Sequence, residues 1–389
     1  MKDLVDSINT LMKEPIVRRG ASDHPSDVPY RLSTGSLLLD LALSGGVAGG
    51  KTTEIYGREG VGKSTMALHL MRSMQEFGGS IFYADTEYTF DKKRAEAFGV
   101  DLRSVAVANP SSFAELFSVI LTYLGSLTDP SLVVIDSLAF TPEGGVKLFQ
   151  QAKKSALKKA GVRVSKKGMP SEKGIENILE EGEEVIVVPS GVTSEDGMGR
   201  HAIIIKKGLK QVTGILGVKK SSLVILNQVY QDVGNTFFKA DVVYGGLGPK
   251  YASSQRISLR AETPFQEAGD VPGRIVQATV SKSRVGRPYG SCRFPLMSDR
   301  GIDQKLEAFY YLLESPVTKV VTREGAWYYL HGFEEKPMPI QKKEIRKKFS
   351  DPILFGYVKR KVEEDWKMRC DLGLDMVAGK KVKEASKSE

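Results

Sequence analysis

The stretch GREGVGKST, Gly57 to Thr65, constrains this chain more than any other. It matches G-x-x-x-x-G-K-[ST] through Gly57, Gly62, Lys63 and Ser64, and the strand-like run Thr53 to Tyr56 leads into it. Beyond it, Met66, Leu70, Met71 and Met74 recur at helical spacing. A strand that ends in a glycine-rich turn and opens a helix is the context in which this pattern cradles phosphates. Glycines let backbone N–H groups close around the β-phosphate, a lysine neutralises β- and γ-oxygens, and a hydroxyl at the position of Ser64 ligates Mg²⁺. The helix aims its partial positive charge at the same place. A nucleoside triphosphate with Mg²⁺ is the expected ligand, held by Gly57, Arg58, Glu59, Gly60, Val61, Gly62, Lys63, Ser64 and Thr65.

Three further runs, SIFYADTE, SLVVIDS and SLVILNQ, have the length and composition of buried strands, with helical patterns between them. Such alternation predicts an α/β fold with a largely parallel sheet and right-handed crossovers. Each run turns polar as it ends: Asp85 and Glu87, Asp136, then Asn227 and Gln228. In open α/β sheets that rim is where ligands bind. Asp136 is suited to the Mg²⁺ shell, Glu87 to orienting or deprotonating an attacking water, and Gln228 to sensing the γ-phosphate.

At 389 residues the chain has room for two or three domains. Its 41% hydrophobic and 26% charged content suits a soluble globular protein, and no apolar run approaches the ~20 residues of a spanning helix. The start MKDLVDSINTLMKEP lacks an apolar signal core, and Cys292 and Cys370 have neither metal nor disulfide-framework spacing, so a reducing cytoplasm is the expected setting. A net charge of +9 favours a polyanionic partner without saying which.

Organisation follows the same cues. Residues 1–30 form a short helix–strand segment, with Leu4, Ile8, Leu11 and Met12 on one helix face, that either pads the core or docks on a neighbouring subunit. The core spans 31–298, a small mixed α/β or helical domain 299–375, and a polar tail expected to be disordered 376–389. A charged insertion at about 145–196 is basic in its first half and acidic in its second. It is either a solvated hairpin whose halves pair with each other or a DNA-facing arm, the second reading being favoured for the basic half only.

The ordered set of motifs resembles the RecA family of homologous-recombination ATPases, including phage recombinases of the UvsX type. The resemblance runs from RLSTGSLLLDLAL through the phosphate loop, ADTEYTFDKKRAEAFGVD, VVIDSLAFTP, MGRHAIIIKKGLKQVTGILGVKKSSLVILNQ and GGLGPKYASS to VSKSR, and on to REGAWYYLHG. It implies a RecA-like P-loop ATPase core with ATP and Mg²⁺ as cofactors. It implies a catalytic Glu87, metal ligands Ser64 and Asp136, and Asp91 contacting the adenine. Gln228 would link the γ-phosphate to a second DNA-binding loop at about 229–249, where Gly245 and Gly246 offer amides to DNA phosphates. A first loop would end at EDGMGRHA, with Arg200, Lys206, Lys207 and Lys210 near the DNA backbone. Lys282 and Arg284, an i, i+2 pair expected on one strand face, match positions that reach the ATP of the adjacent subunit, while Arg287 is an ordinary surface cation.

The chain departs from the family at Arg94, where an adenine-stacking tyrosine is common, in its mixed rather than acidic tail, and in the insertion. The implied function is an ATP-dependent recombinase that forms helical filaments on single-stranded DNA and exchanges strands with duplex DNA, with loader or single-strand-binding proteins as candidate partners and no membrane. The alternatives are a hexameric helicase on the same core and a regulatory ATPase acting on proteins.

Overall fold

Each apolar run named above forms a strand, and period-two alternation sends its side chains to two buried faces. The computed structural model describes residues 9–10, 24, 26–139, 198–231, 241–266 and 271–372. Of the expected N-terminal helix only Asn9 and Thr10 are described, both helical; the strand after it, the charged insertion and the polar tail lie outside these residues.

The central sheet has ten strands. Its parallel part comprises β3 (Thr52–Gly57), β4 (Ser80–Asp85), β5 (Val105–Ala108), β6 (Ser131–Asp136), β7 (Ser222–Gln231) and β9 (Gln255–Phe265), in the order β9-β3-β7-β6-β4-β5. From β9 the sheet continues antiparallel through β10 (Gly273–Ser283), β11 (Ser291–Met297) and β12 (Gly301–Ile302). A short β8 (Asp241–Val243) pairs antiparallel with the end of β7. Two further strands, β1 (Arg31–Leu32) and β2 (Val47–Ala48), form a separate ribbon.

Val134, Leu226 and Tyr83 face one apolar core, shared with α1 (Leu37–Ala42) and α2 (Lys63–Glu76). Their neighbours Val133, Ile225 and Phe82 face a second core with α4 (Phe113–Gly125) and α5 (Met198–Lys219). A short α3 (Lys92–Ala97) follows β4, and α6 (Leu247–Ala252) precedes β9. Helix α7 (Gln304–Leu313) packs on α1, and the chain then forms a three-stranded antiparallel sheet, β13 (Val321–Glu324), β14 (Trp327–Leu330) and β15 (Met338–Gln341). Two helices, α8 (Ile345–Lys348) and α9 (Pro352–Asp371), complete it. Phe309, Leu330 and Val358 join the same continuous core as α1 and α2.

Buried acids tie α7 to the rest. The Glu307 carboxylate, on α7, accepts from the Ser36 hydroxyl and from the Leu37 and Leu38 amides at the start of α1. Burial raises this carboxyl to about 8 despite those donors.

Helix α5 crosses α4 closely because Gly208 has no side chain: a Cβ there would lie 2.2 Å from Cδ2 of buried Phe117. Glycine inside a helix is otherwise unfavourable by about 1 kcal/mol against alanine. The overpacking cost of about 1–3 kcal/mol exceeds that gain, so Gly208→Ala is expected to lower the midpoint of equilibrium urea unfolding. A raised midpoint would mean that Phe117 swings aside without penalty.

Candidate functional site

Register builds the site. Gly57, the last residue of β3, lies opposite Gln228 on β7, and Asp136 on β6 lies opposite Asp85 on β4 and Leu226 on β7. The polar strand ends noted in the sequence therefore share one rim, as parallel pairing requires.

The glycine-rich turn has the conformation its sequence demands. Gly62, at the N-cap of α2, has φ 98°, a left-handed backbone disfavoured for residues with a Cβ. Gly57 lies so near β9 that a Cβ would meet the Leu259 carbonyl oxygen at 2.4 Å. Arg58, Glu59 and Gly60 are exposed, whereas Val61 is buried in the core. No side chain caps α2, which leaves its first amides open to a ligand.

Lys63 is buried and donates to the carbonyl oxygens of Gly57 at 3.0 Å and Arg58 at 2.9 Å. Burial lowers its pKa, partly offset by the charges of Asp136, Glu87 and Glu59. An ammonium held inside the loop by neutral carbonyls suits an arriving phosphate oxygen. The next residue, Ser64, donates to Asp136 Oδ2 at 2.8 Å, and the Tyr83 hydroxyl donates to the same oxygen at 2.5 Å. Among the described residues no three His, Cys, Asp or Glu side chains cluster as a closed metal site. A hydroxyl and one carboxylate beside a phosphate cradle fit Mg²⁺ instead, an ion that keeps waters and takes oxygens from phosphates.

Glu87 and Asp85 have separate tasks. Asp85 is buried and accepts from the Thr89 and Phe90 amides at 3.0 Å each, fixing the turn after β4. Exposed Glu87 instead accepts from Gln228 Nε2 at 3.1 Å and from the Ser137 hydroxyl. Thr86 braces this corner, its amide donating to the Asp136 carbonyl and its hydroxyl to that of Ser137. Tyr83 and Ser137 were not among the sequence candidates, although Ser137 directly follows Asp136 and Tyr83 lies two residues before the strand-end acid Asp85.

A cleft of about 280 Å³ is lined by Ser64 and Asp136 and also by Asp91, Arg94, Phe90 and Leu68. Asp91 caps α3, its Oδ1 accepting the Arg94 amide at 3.0 Å. The Arg94 guanidinium donates to Thr65 Oγ1 at 2.8 Å.

Behind β3 lies a buried polar network that the sequence reading missed. Glu54, fully buried, pairs with Arg256 Nε at 2.5 Å and accepts from Asn227 Nδ2 at 2.9 Å; the same Asn227 nitrogen donates to the Tyr244 carbonyl. Asn227 is thus a structural link between β3 and the segment entering α6. Arg256 also lies over the Tyr56 ring, 4.6 Å from its centroid.

The DNA-site candidates are distributed around α5 and α6. Lys206, Lys207 and Lys210 are exposed on α5. Gly245 and Gly246 have φ 84° and 65° in the turn before α6, and a Cβ on nearby Gly248 would sit 3.4 Å from Cα of Lys206. Arg200 falls within α5, its side chain outside the described part, as are residues 232–240 of the second loop.

Lys282 and Arg284 stand at the end of β10. The β9–β10 register shifts between Val280 and Lys282, and β10 ends at Ser283. Arg284 follows with its amide donating to the Ser254 carbonyl, and Lys282 Nζ donates to the Lys250 carbonyl at 2.6 Å. The shift lies before Lys282: Lys282 and Ser283 pair in step with Arg256 and Gln255, and the Arg284 amide on the Ser254 carbonyl continues that ladder, so the two-residue repeat from Lys282 to Arg284 is intact. Burial, then the nearby charges of Arg284 and Arg256, lowers the Lys282 pKa. Among the described residues, no hydrogen bond or ion pair joins either cation to the glycine-rich turn of its own chain.

Asp136 yields a pH prediction. Burial raises its carboxyl above the ordinary range, the Tyr83 and Ser64 hydroxyls pull it back, and Glu87 and Asp85 push it up. A metal-holding carboxylate must be deprotonated, so magnesium-dependent nucleotide binding is expected to fail on acidification at a higher pH than an ordinary aspartate would give. Tyr83→Phe removes a lowering hydrogen bond and is expected to move that acid limb further up. Binding titrations across pH measure it, and an unmoved limb would show that Tyr83 does not tune Asp136.

A family model described as the RecA N-terminal domain matches residues 2–160 and 187–303. The break, 161–186, falls inside the charged insertion. Similar proteins include Protein RecA of Thermotoga petrophila, 24% identical over 341 residues, covering 86% of this chain and 82% of the relative. Protein RecA of Fusobacterium nucleatum is 27% identical over 336 residues, covering 86% and 76%. Protein RecA of Malacoplasma penetrans is 28% identical over 300 residues, covering 77% of each. With its phosphate loop, polar strand ends and mostly parallel sheet all lying within the matched segments, the chain belongs to the RecA family of recombinases.

Proposed function

We propose that the chain is an ATP-dependent DNA recombinase: it assembles as a helical filament on single-stranded DNA, pairs that strand with homologous duplex, and exchanges strands. Hydrolysis of ATP to ADP and phosphate, stimulated by DNA, turns the filament over. The contact that supports this reading most is Gln228 Nε2 on Glu87 at 3.1 Å. It joins the acid placed for hydrolysis to the strand from which the chain leaves for the glycine turn at Gly245 and Gly246.

In this reading the turn from Gly57 to Thr65 holds the triphosphate, with Lys63 leaving its carbonyl partners for the β- and γ-oxygens. Ser64 and Asp136 hold Mg²⁺, which when bound neutralises charge on those oxygens. Glu87 orients the attacking water. Gln228 exchanges its contact with Glu87 for one with the γ-phosphate, and loss of that phosphate releases the second loop. Asn227, pinned to Glu54 and the Tyr244 carbonyl, holds the strand end while Gln228 moves.

Arg200, Lys206, Lys207 and Lys210 meet the DNA backbone, and the Gly245–Gly246 turn presents amides to it. Lys282 and Arg284 act in trans on the ATP of the neighbouring subunit, so their stabilisation of the transition state exists only in the filament. Residues 299–375 serve as the small C-terminal domain, sharing one apolar core with α1 and α2. The cell compartment is the cytoplasm, and a loader or single-strand-binding protein assists assembly.

A strand-exchange assay with Lys63→Ala as control tests the class. The intact chain is expected to exchange strands, to hydrolyse ATP faster with single-stranded DNA, and to form helical filaments by electron microscopy. Closed rings with unwinding activity would favour a helicase, and hydrolysis indifferent to DNA a regulatory ATPase. For the trans cations, Arg284→Ala is expected to leave nucleotide affinity of the monomer within about twofold while reducing DNA-stimulated turnover about a thousandfold or more, the low end of what removing such a charge costs. Turnover that survives would make Arg284 a plain surface cation.

A further inference from the structure

The cleft beside the phosphate turn holds a cation in an unusual place. Arg94 extends from α3 so that Nη2 is 2.8 Å from the hydroxyl of Thr65, the residue directly after Lys63 and Ser64 in the first turn of α2. Its other recorded partner is the Phe98 ring, 5.7 Å from the guanidinium carbon. Among the described residues it forms no ion pair: the neighbouring Asp91 accepts Arg94's own backbone amide. A guanidinium therefore stands at the positively polarised, uncapped end of α2, in a cleft shared with Ser64 and Asp136, without a carboxylate partner. Like charge at a helix N-terminus is unfavourable until an anion arrives.

We propose that Arg94 is a phosphate clamp acting within its own subunit on the α-phosphate, and that the chain therefore takes nucleoside triphosphates with little distinction between bases. The proposal rests on the nucleotide reading above. Its chemistry follows from three features. Lys63 and Ser64 serve the β- and γ-phosphates, so the phosphate nearest Thr65 is the α-phosphate, which the first amides of such a helix also cradle. A guanidinium carries only donors and grips phosphate oxygens in a forked geometry, so it reads the part common to every nucleotide. Asp91 has one oxygen engaged by the Arg94 amide, which leaves a single carboxylate acceptor for the base edge. Every base carries an N–H donor on its Watson–Crick edge, an exocyclic amine in adenine, guanine and cytosine and the N3–H in uracil, so a lone carboxylate acceptor does little to choose among them.

The expected outcome is ATP, GTP, CTP and UTP binding within about threefold of one another, less than the value of one hydrogen bond. Competition against a fluorescent ADP analogue with Mg²⁺ measures it, with inorganic tripolyphosphate as a base-free probe. Arg94→Ala is expected to weaken all four triphosphates and tripolyphosphate by a common factor of about tenfold, as loss of a charge-assisted contact implies. Arg94→Tyr is expected to weaken tripolyphosphate equally while opening a preference for purines. A wild-type preference for ATP above about thirtyfold would overturn the proposal. So would an Arg94→Ala variant that weakens some bases selectively, leaves tripolyphosphate unaffected, or changes nothing. Lys63→Ala separates the two readings: if it binds every probe as well as the wild type, the nucleotide site itself is wrong, whatever Arg94 does.

Discussion

Parallel pairing of β3 with β7, Gly57 opposite Gln228, is the constraint on which the rest of the site depends. In a parallel sheet every strand ends on the same rim, so pairing β6 to β7 and β4 to β6 also delivers Asp136 and the corner holding Glu87 to that rim. A one-residue slip would turn Tyr83 and Asp136 to the opposite face and bury Val133 and Ile225 against the wrong helices. Two covered faces make such a slip costly, and the packing of α2 on one side and α4 and α5 on the other thereby holds polar groups to hydrogen-bond precision.

Around that rim the protein keeps charges that solvent would otherwise hold. Lys63 is buried against carbonyl oxygens, Asp136 against two hydroxyls, and Glu54 against Arg256 and Asn227. Desolvation penalises each of them, and pairing within a low-dielectric interior returns only part of that penalty. The pairs differ in purpose. Glu54 and Arg256 are satisfied within the chain and knit β3, β7 and β9 together. Lys63 and Arg94 have neutral partners for a positive charge, which is the electrostatic signature of a place prepared for an anion.

Much of this was legible in the order of residues. Turn chemistry identified Gly57 to Thr65, since a left-handed glycine and a buried lysine follow from the motif itself. The strand end at Asp136 and the polar step at Gln228 were visible because apolar runs stop abruptly at polar residues, although β7 runs on to Gln231 to pair with β8. Less was legible where two acids stood close together: Asp85 and Glu87 look equivalent in sequence, yet only the local turn makes one a backbone acceptor and the other a partner of Gln228. The bulge just before Lys282 was not legible either, since no residue type marks where the β9–β10 ladder shifts between Val280 and Lys282.

What the amino-acid order determined by itself was local: a phosphate-binding turn between strand and helix, an α/β class, and a short list of polar strand ends, all governed by backbone sterics and hydrophobic period within a few residues. Only the tertiary structure decided which of those ends meet. The Tyr83–Asp136 hydrogen bond, the Glu54–Arg256 pair across 202 positions of chain, and the seating of Arg94 on Thr65 depend on strand order and helix docking. Those are set by burial of two apolar faces at once, a global condition that no short stretch of sequence encodes.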